Sequence, residues 1–217
     1  MITHFSDFID ESPRAYHAVV YVDGWLYSIG GFDGSVYYDK VRKYNFESRG
    51  WVDCSRMYQK RCYVSASHCK GKIYACGGLD GHVRLKTAEE YDITANSWNH
   101  LPSMMFARSD AASSTYREKI YICGGFSGHA CMNSVETYKP GDPYWCQINP
   151  MSTPRSGVVA IIHHDKLWAI GGFDGTSRLK TTEYFDGDCW RDGPSLIKER
   201  SNFAGKTLFY SEFFLKL

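Results

Sequence analysis

No stretch of this 217-residue chain approaches the roughly 18 consecutive apolar residues of a membrane-spanning helix. Its start, MITHFSDFID, lacks the basic and apolar regions of a secretion signal, so a cytoplasmic chain with no membrane contact is expected. A surplus of one charge is missing as well. Twenty-five Lys+Arg against 24 Asp+Glu leave a formal charge of +1, which favours neither nucleic acid nor an acidic surface. Eight cysteines are present, but CxxC and Cys/His metal spacings are not, so reduced thiols are expected. GxSxG, HExxH, the phosphate-binding P-loop and GxGxxG are all absent. His163 and His164 are adjacent, as are Glu89 and Glu90, and neighbours on a strand point to opposite faces. No enzyme, no cofactor and no metal are therefore expected. Helical spacing of apolar residues is not sustained anywhere, which argues against an α or α/β fold.

What the chain does contain is a repeated phrase. IGGFDG occurs at residues 29–34 and again at 170–175, with CGGLDG (76–81) and CGGFSG (123–128) between them. Glycine pairs begin at Gly30, Gly77, Gly124 and Gly171, each 47 residues after the last. Arg14, Arg61, Arg108 and Arg155 keep the same step, as do Trp51, Trp98 and Trp145, and Met57, Met104 and Met151. An aromatic recurs at Tyr44, Tyr91, Tyr138 and Phe185. The fourth copy loses two residues in one turn, where YDITANSW becomes FDGDCW, and register resumes at Leu196 and Arg200.

Each copy reads as four short strands: an apolar run after the arginine, a polar turn, a run with an aromatic in its second column, then the glycine pair and two further strands. Four antiparallel strands in about 45 residues make a propeller blade, a sheet with two faces that its neighbours must bury. The glycine pair belongs at the end of the second strand, where positive φ and close approach of another backbone or ring exclude a side chain. The units predicted are a segment 1–13, with His4 to Phe8 in the slot of an outer strand, and repeats 14–60, 61–107, 108–154 and 155–199. A shortened fifth follows at 200–217, in which TLFYSEFFLKL fits poorly and Lys216 and Leu217 stand in the glycine slot. The expected fold is thus an all-β, incomplete propeller.

These columns resemble the kelch motif. PRAYH, KRCYVS, GHVRLKTAEEY, ARSDAASS, YICGGFSG and PRSGVV are similar, in that order, to successive blades of the kelch-like (BTB–BACK–kelch) family. The resemblance spans about residues 14–207 and implies a six-bladed propeller, here four full blades and part of a fifth. It further implies that BTB and BACK domains, absent from these residues, bind cullin-3 while the propeller captures the protein to be ubiquitinated. Other kelch propellers bind actin, the alternative partner. The chain reads as a truncated, alternatively spliced or mis-predicted product.

Strand alternation places the residue after each blade-opening arginine and the residue after each glycine pair on one rim. In related propellers these slots, with an arginine of the DGxxRL loop, build the pocket. Here they are Phe32, Leu79, Phe126 and Phe173; Cys62, Ser109 and Ser156; and Arg84 and Arg178, the candidate site for a partner protein or peptide. Loop residues Asp33, Asp80, His82, His129 and Asp174 lie beside them. Cys54, Cys62, Cys69 and Cys131 stand near basic residues and are candidate electrophile sensors, as the cysteines of one relative are. Glu89, Glu136 and Glu183 are predicted to pair with the blade-opening arginines, whereas Arg42 in the first copy forbids such a pair.

Overall fold

The computed structural model describes residues 13–205, in which every regular element is a strand. The segment His4–Phe8 and the run 207–217 lie outside the described residues. The first sheet contains β1 (Ala18–Val22), β2 (Trp25–Ile29), β3 (Val41–Asn45) and β4 (Gly50–Asp53). The second contains β5 (Ser65–Cys69), β6 (Lys72–Cys76), β7 (Ala88–Asp92) and β8 (Ser97–His100). The third contains β9 (Ala112–Tyr116), β10 (Lys119–Cys123), β11 (Val135–Tyr138) and β12 (Cys146–Ile148). The fourth contains β13 (Val159–His163), β14 (Lys166–Ile170), β15 (Thr182–Phe185) and β16 (Trp190–Gly193). Each sheet is antiparallel in simple sequence order. Strand one of each sheet packs on strand one of the next, β1 on β5, β5 on β9 and β9 on β13, so these strands are innermost about a common axis. The arrangement is four blades of an incomplete β-propeller.

Local chemistry explains the hairpins. β1 and β2 are joined by Asp23-Gly24, both at positive φ, as are Lys70-Gly71, Arg117-Glu118 and His164-Asp165 at the same point of the other blades. Two such residues make the tight turn whose twist matches that of the flanking strands. The aromatic columns fill the wedges between blades. Tyr27, Tyr74, Tyr44, Tyr91 and Tyr138 are buried, and Trp98, Trp145 and Trp190 are nearly so. Each of those tryptophans also donates its indole N–H across the wedge, to the carbonyls of Ser55, Pro102 and Asn149 at 2.9, 2.9 and 3.0 Å. Trp51 and Trp168 are only partly buried, because they stand on the outer faces of the first and last described blades.

The glycine pairs meet backbone first, and at Gly171 the Phe203 ring as well, 3.0 Å from the position of a Cβ. At φ of +60 to +67°, a Cβ on Gly30, Gly77, Gly124 or Gly171 would lie 2.2, 2.5, 2.2 or 2.7 Å from the carbonyl oxygen of Arg61, Arg108, Arg155 or Arg200. The same oxygens accept the N–H of the second glycine, Gly31, Gly78, Gly125 and Gly172, at 2.7–2.8 Å. Each pair is therefore the seat on which the next blade's opening arginine rests.

Of those arginines, Arg61, Arg108 and Arg155 each bond to the preceding blade through the backbone and to their own blade through the side chain. They form ion pairs with Glu89, Glu136 and Glu183 at 2.9, 2.7 and 3.0 Å, with side chains no more than 1% exposed. The carboxylates also accept the backbone N–H groups of Tyr58, Met105 and Ser152 at 2.7, 2.7 and 2.6 Å. In blade one the pairing is absent, as Arg42 dictates. Arg14 instead reaches the Gly30 carbonyl at 3.2 Å and lies over the Tyr38 ring, while Arg42 pairs with Asp53.

A second joint runs around the axis. Tyr63 donates its N–H to Tyr16 O, Asp110 to Tyr63 O, Gly157 to Asp110 O and Asn202 to Gly157 O, at 2.8, 3.0, 2.8 and 2.8 Å. All five residues sit at positive φ, between 51 and 59°.

Candidate functional site

The rim is assembled by bridges that lie outside the regular strands. Ala15 pairs with Phe32, Cys62 with Leu79, Ser109 with Phe126 and Ser156 with Phe173, so the two predicted columns do meet. The loop then folds back, pairing Phe32 with Tyr37, Leu79 with Arg84, Phe126 with Cys131 and Phe173 with Arg178. The three predicted slots are thus adjacent in every blade. They differ in access. Cys62 and Ser109 are 0% and 1% exposed and present no side-chain surface, whereas Phe173 is 37% exposed. Arg84 covers Ser109, donating from Nε to its Oγ at 3.1 Å while its guanidinium lies 4.6 Å from the centre of the Phe126 ring. Arg178 makes the same bond to Ser201 at 3.2 Å but is exposed.

The rim aspartates serve the loops themselves. Asp33 accepts the N–H groups of Ser35 and Val36, Asp80 those of His82 and Val83, and Asp174 those of Thr176 and Ser177, all at 2.7–2.9 Å. Ser127 does the same with its hydroxyl for His129 and Ala130. These are Asx- and Ser-type turns that fix the loop shape. The Tyr38 hydroxyl and then the Val36 and Ser35 N–H groups hold Asp33 down at about 2, so it is ionised at neutral pH.

Sequence reasoning missed part of the surface. Tyr58, Met105, Phe106 and Ile197, in the connections between blades, are 61, 56, 40 and 80% exposed on this rim. With Tyr16, Val36, Val83 and Phe173 they make one rim the more apolar one, whereas among the described residues the opposite end exposes Tyr21, Phe46 and Tyr144 as large hydrophobics. The signal was in the column after each methionine, which reads Tyr58, Met105, Ser152 and, after Leu196, Ile197. The backbone N–H groups of Tyr58, Met105 and Ser152 are held by the buried glutamates, so the arginine–glutamate pairs also position this apolar edge.

The thiols correct an expectation. Burial pushes Cys54, Cys69 and Cys131 up, and lifts Cys62 to about 11 and Cys76 and Cys123 to about 12. Desolvation outweighs Lys43, Arg84 and Lys70 at Cys54, Cys62 and Cys69, and Asp174 and Asp110 add to it at Cys131, so none of the four proposed sensors has a lowered thiol pKa. Near neutral pH, iodoacetamide is expected to label the exposed Cys146 first and Cys62, Cys76 and Cys123 only on unfolding, as mass spectrometry of the peptides would show. Among the described residues no group of three His, Cys, Asp or Glu could hold a metal ion, and no helix is long and apolar enough to cross a membrane.

The KLHDC2/KLHL20/DRC7 Kelch-repeats domain matches residues 9–172, and the Kelch motif matches residues 154–197. The chain belongs to the kelch-repeat family. The solved structure of YjhT shares the kelch chain's fold with a TM-score of 0.78 at 18% identity, over 88% of this chain and 73% of that one. Kelch repeats mark the chain as a β-propeller protein-interaction module.

Proposed function

We propose that the rim carrying Phe32, Leu79, Arg84, Phe126, Phe173, Arg178 and Ser156 captures a partner protein, with Cys62 and Ser109 acting from beneath as supports. The observation that carries this reading is the excess of exposed apolar side chains on that rim. A contiguous apolar patch edged by fixed polar groups marks an interaction surface. The finer reading is the substrate-recognition module of a cullin-3 ubiquitin ligase adaptor, working in the cytoplasm. It is supported by the likeness of the six quoted segments to successive blades of kelch-like protein 10. Cullin-3 would be engaged by BTB and BACK domains outside residues 1–217, never by the propeller.

The test places a photo-crosslinking amino acid at Phe173 or, on the opposite side, at Tyr144, in cells. Adducts are expected from position 173 alone, to disappear in Arg84→Glu/Arg178→Glu, and to be proteins whose ubiquitination falls when cullin-3 is depleted. Equal adducts from both positions would discard the rim. Rim-specific adducts that are actin, unaffected by cullin-3, would replace the ligase reading with the cytoskeletal one.

A further inference from the structure

Asp110 is the one hub residue whose side chain is an acid, and the rim assigned above does not use it. Its carboxylate Oδ2 accepts the Ser109 hydroxyl at 2.7 Å. Ser109 Oγ in turn accepts Nε–H of Arg84 at 3.1 Å, from the neighbouring blade. A hydroxyl whose proton is taken by a carboxylate offers its lone pairs outward, so the acid orients Ser109 as an acceptor. Arg84 is then fixed between the Phe126 ring and Gly128, where a Cβ would lie 3.2 Å from Nη1. Blade four supplies the comparison. Arg178 meets Ser201 in the same way, but the next residue is Asn202, and Arg178 is exposed.

We infer that Asp110 is a positioning residue that locks Arg84, through Ser109, in one orientation on the rim, leaving Arg178 as the mobile arginine of the pair. The fixed arginine sets partner specificity, because its donors meet a partner without being ordered first. The groups facing Asp110 are Ser109, Arg84, Cys62, Tyr63 and Cys131. Burial pushes the carboxyl up, and the Ser109 hydroxyl and Arg84 counter it only in part. Holding a charge there costs stability, so Asp110→Asn is expected to fold.

The inference rests on the proposed use of this rim, but its test reads only side-chain exchange, so the two fail separately. Hydrogen exchange of the arginine Nε–H groups is followed by NMR on the nitrogen-15-labelled full chain, with the Arg84 signal assigned by its loss in Arg84→Lys. Arg61 and Arg155, whose Nε–H groups are buried against Glu89 and Glu183 at 3.1 Å, report that each variant is folded. In Asp110→Asn and in Ser109→Ala, exchange at Arg84 is expected to rise on the order of tenfold, the effect of one hydrogen bond to a charged group, with Arg61, Arg155 and Arg178 unchanged. The reciprocal variant, Asn202→Asp, sits on an exposed residue and is expected to slow exchange at Arg178. Unchanged exchange at Arg84 in the folded Asp110→Asn protein overturns the inference. So does unchanged exchange at Arg178 in Asn202→Asp, which decides the matter even where an Asp110 variant does not fold.

Discussion

Arg61→Met is expected to lower the free energy of unfolding by about 3–5 kcal/mol, the cost of leaving one member of a buried ion pair without the other. Glu89 would keep the N–H groups of Tyr58 and Gln59, but lose both bonds from the guanidinium, at 3.1 and 2.9 Å. The carbonyls of Gly77 and Thr87, which now accept Nη1 at 2.7 and 3.0 Å, would be left without that donor. A domain of this kind holds only about 5–15 kcal/mol in all, so the single variant should be recovered largely as aggregate. The double variant Arg61→Met/Glu89→Met should regain most of the loss, because it removes the stranded charge. Arg56→Met is the contrast. Its bridge to Asp39 has the same 2.9 Å length, but Arg56 is 67% exposed, and the change should stay within about 1 kcal/mol. Urea titrations of the four proteins would measure this. Equal losses for Arg56 and Arg61 would show that the buried pair does not hold the blade.

The second large effect is expected at the glycine seat. Gly124→Ala puts a methyl group 2.2 Å from Arg155 O and 3.1 Å from Met132 O, on a residue at φ +63°. The left-handed conformation alone costs about 1–2 kcal/mol for a side-chain-bearing residue. Backbone on both sides cannot swing aside as a side-chain tip would, so the clash adds to that cost and the blade joint must open. Gly24→Ala separates the two contributions. It has φ +83° and nothing within 4 Å of the new Cβ, and so carries the conformational cost alone. Thermal unfolding should rank wild type above Gly24→Ala and Gly24→Ala well above Gly124→Ala. Equal melting temperatures for the two variants would remove close approach as the reason for the doublet.

Much of this was readable because the blade repeats. A column that holds glycine four times, at a constant step, excludes accident, and its structural cause proved to be steric. The arginine–glutamate pairs were legible for the same reason: Glu89, Glu136 and Glu183 follow the pattern while Arg42 breaks it, and blade one lacks the pair. What was not legible depends on depth. Cys62 and Ser109 occupy the same rim column as Ser156, yet both are buried, Ser109 beneath Arg84. The partner of each glycine pair was equally hidden, since a carbonyl 31 residues further on, such as Arg61 O against Gly30, leaves no mark in side-chain sequence. The apolar edge at Tyr58, Met105 and Ile197 was overlooked because that column also admits Ser152 and so lacks a fixed chemical type.

The belt of N–H to carbonyl bonds from Tyr16 to Asn202 draws on main-chain atoms alone. Two tyrosines, an acid, a glycine and an amide occupy its links with nearly the same geometry. Holding the blades together is thus left to the main chain of these residues, and no side chain takes part in the links. The chemical variety of four of those side chains shows that the belt constrains backbone conformation and leaves side-chain identity open, except at Gly157, where a Cβ would lie 2.3 Å from Asn202 Oδ1.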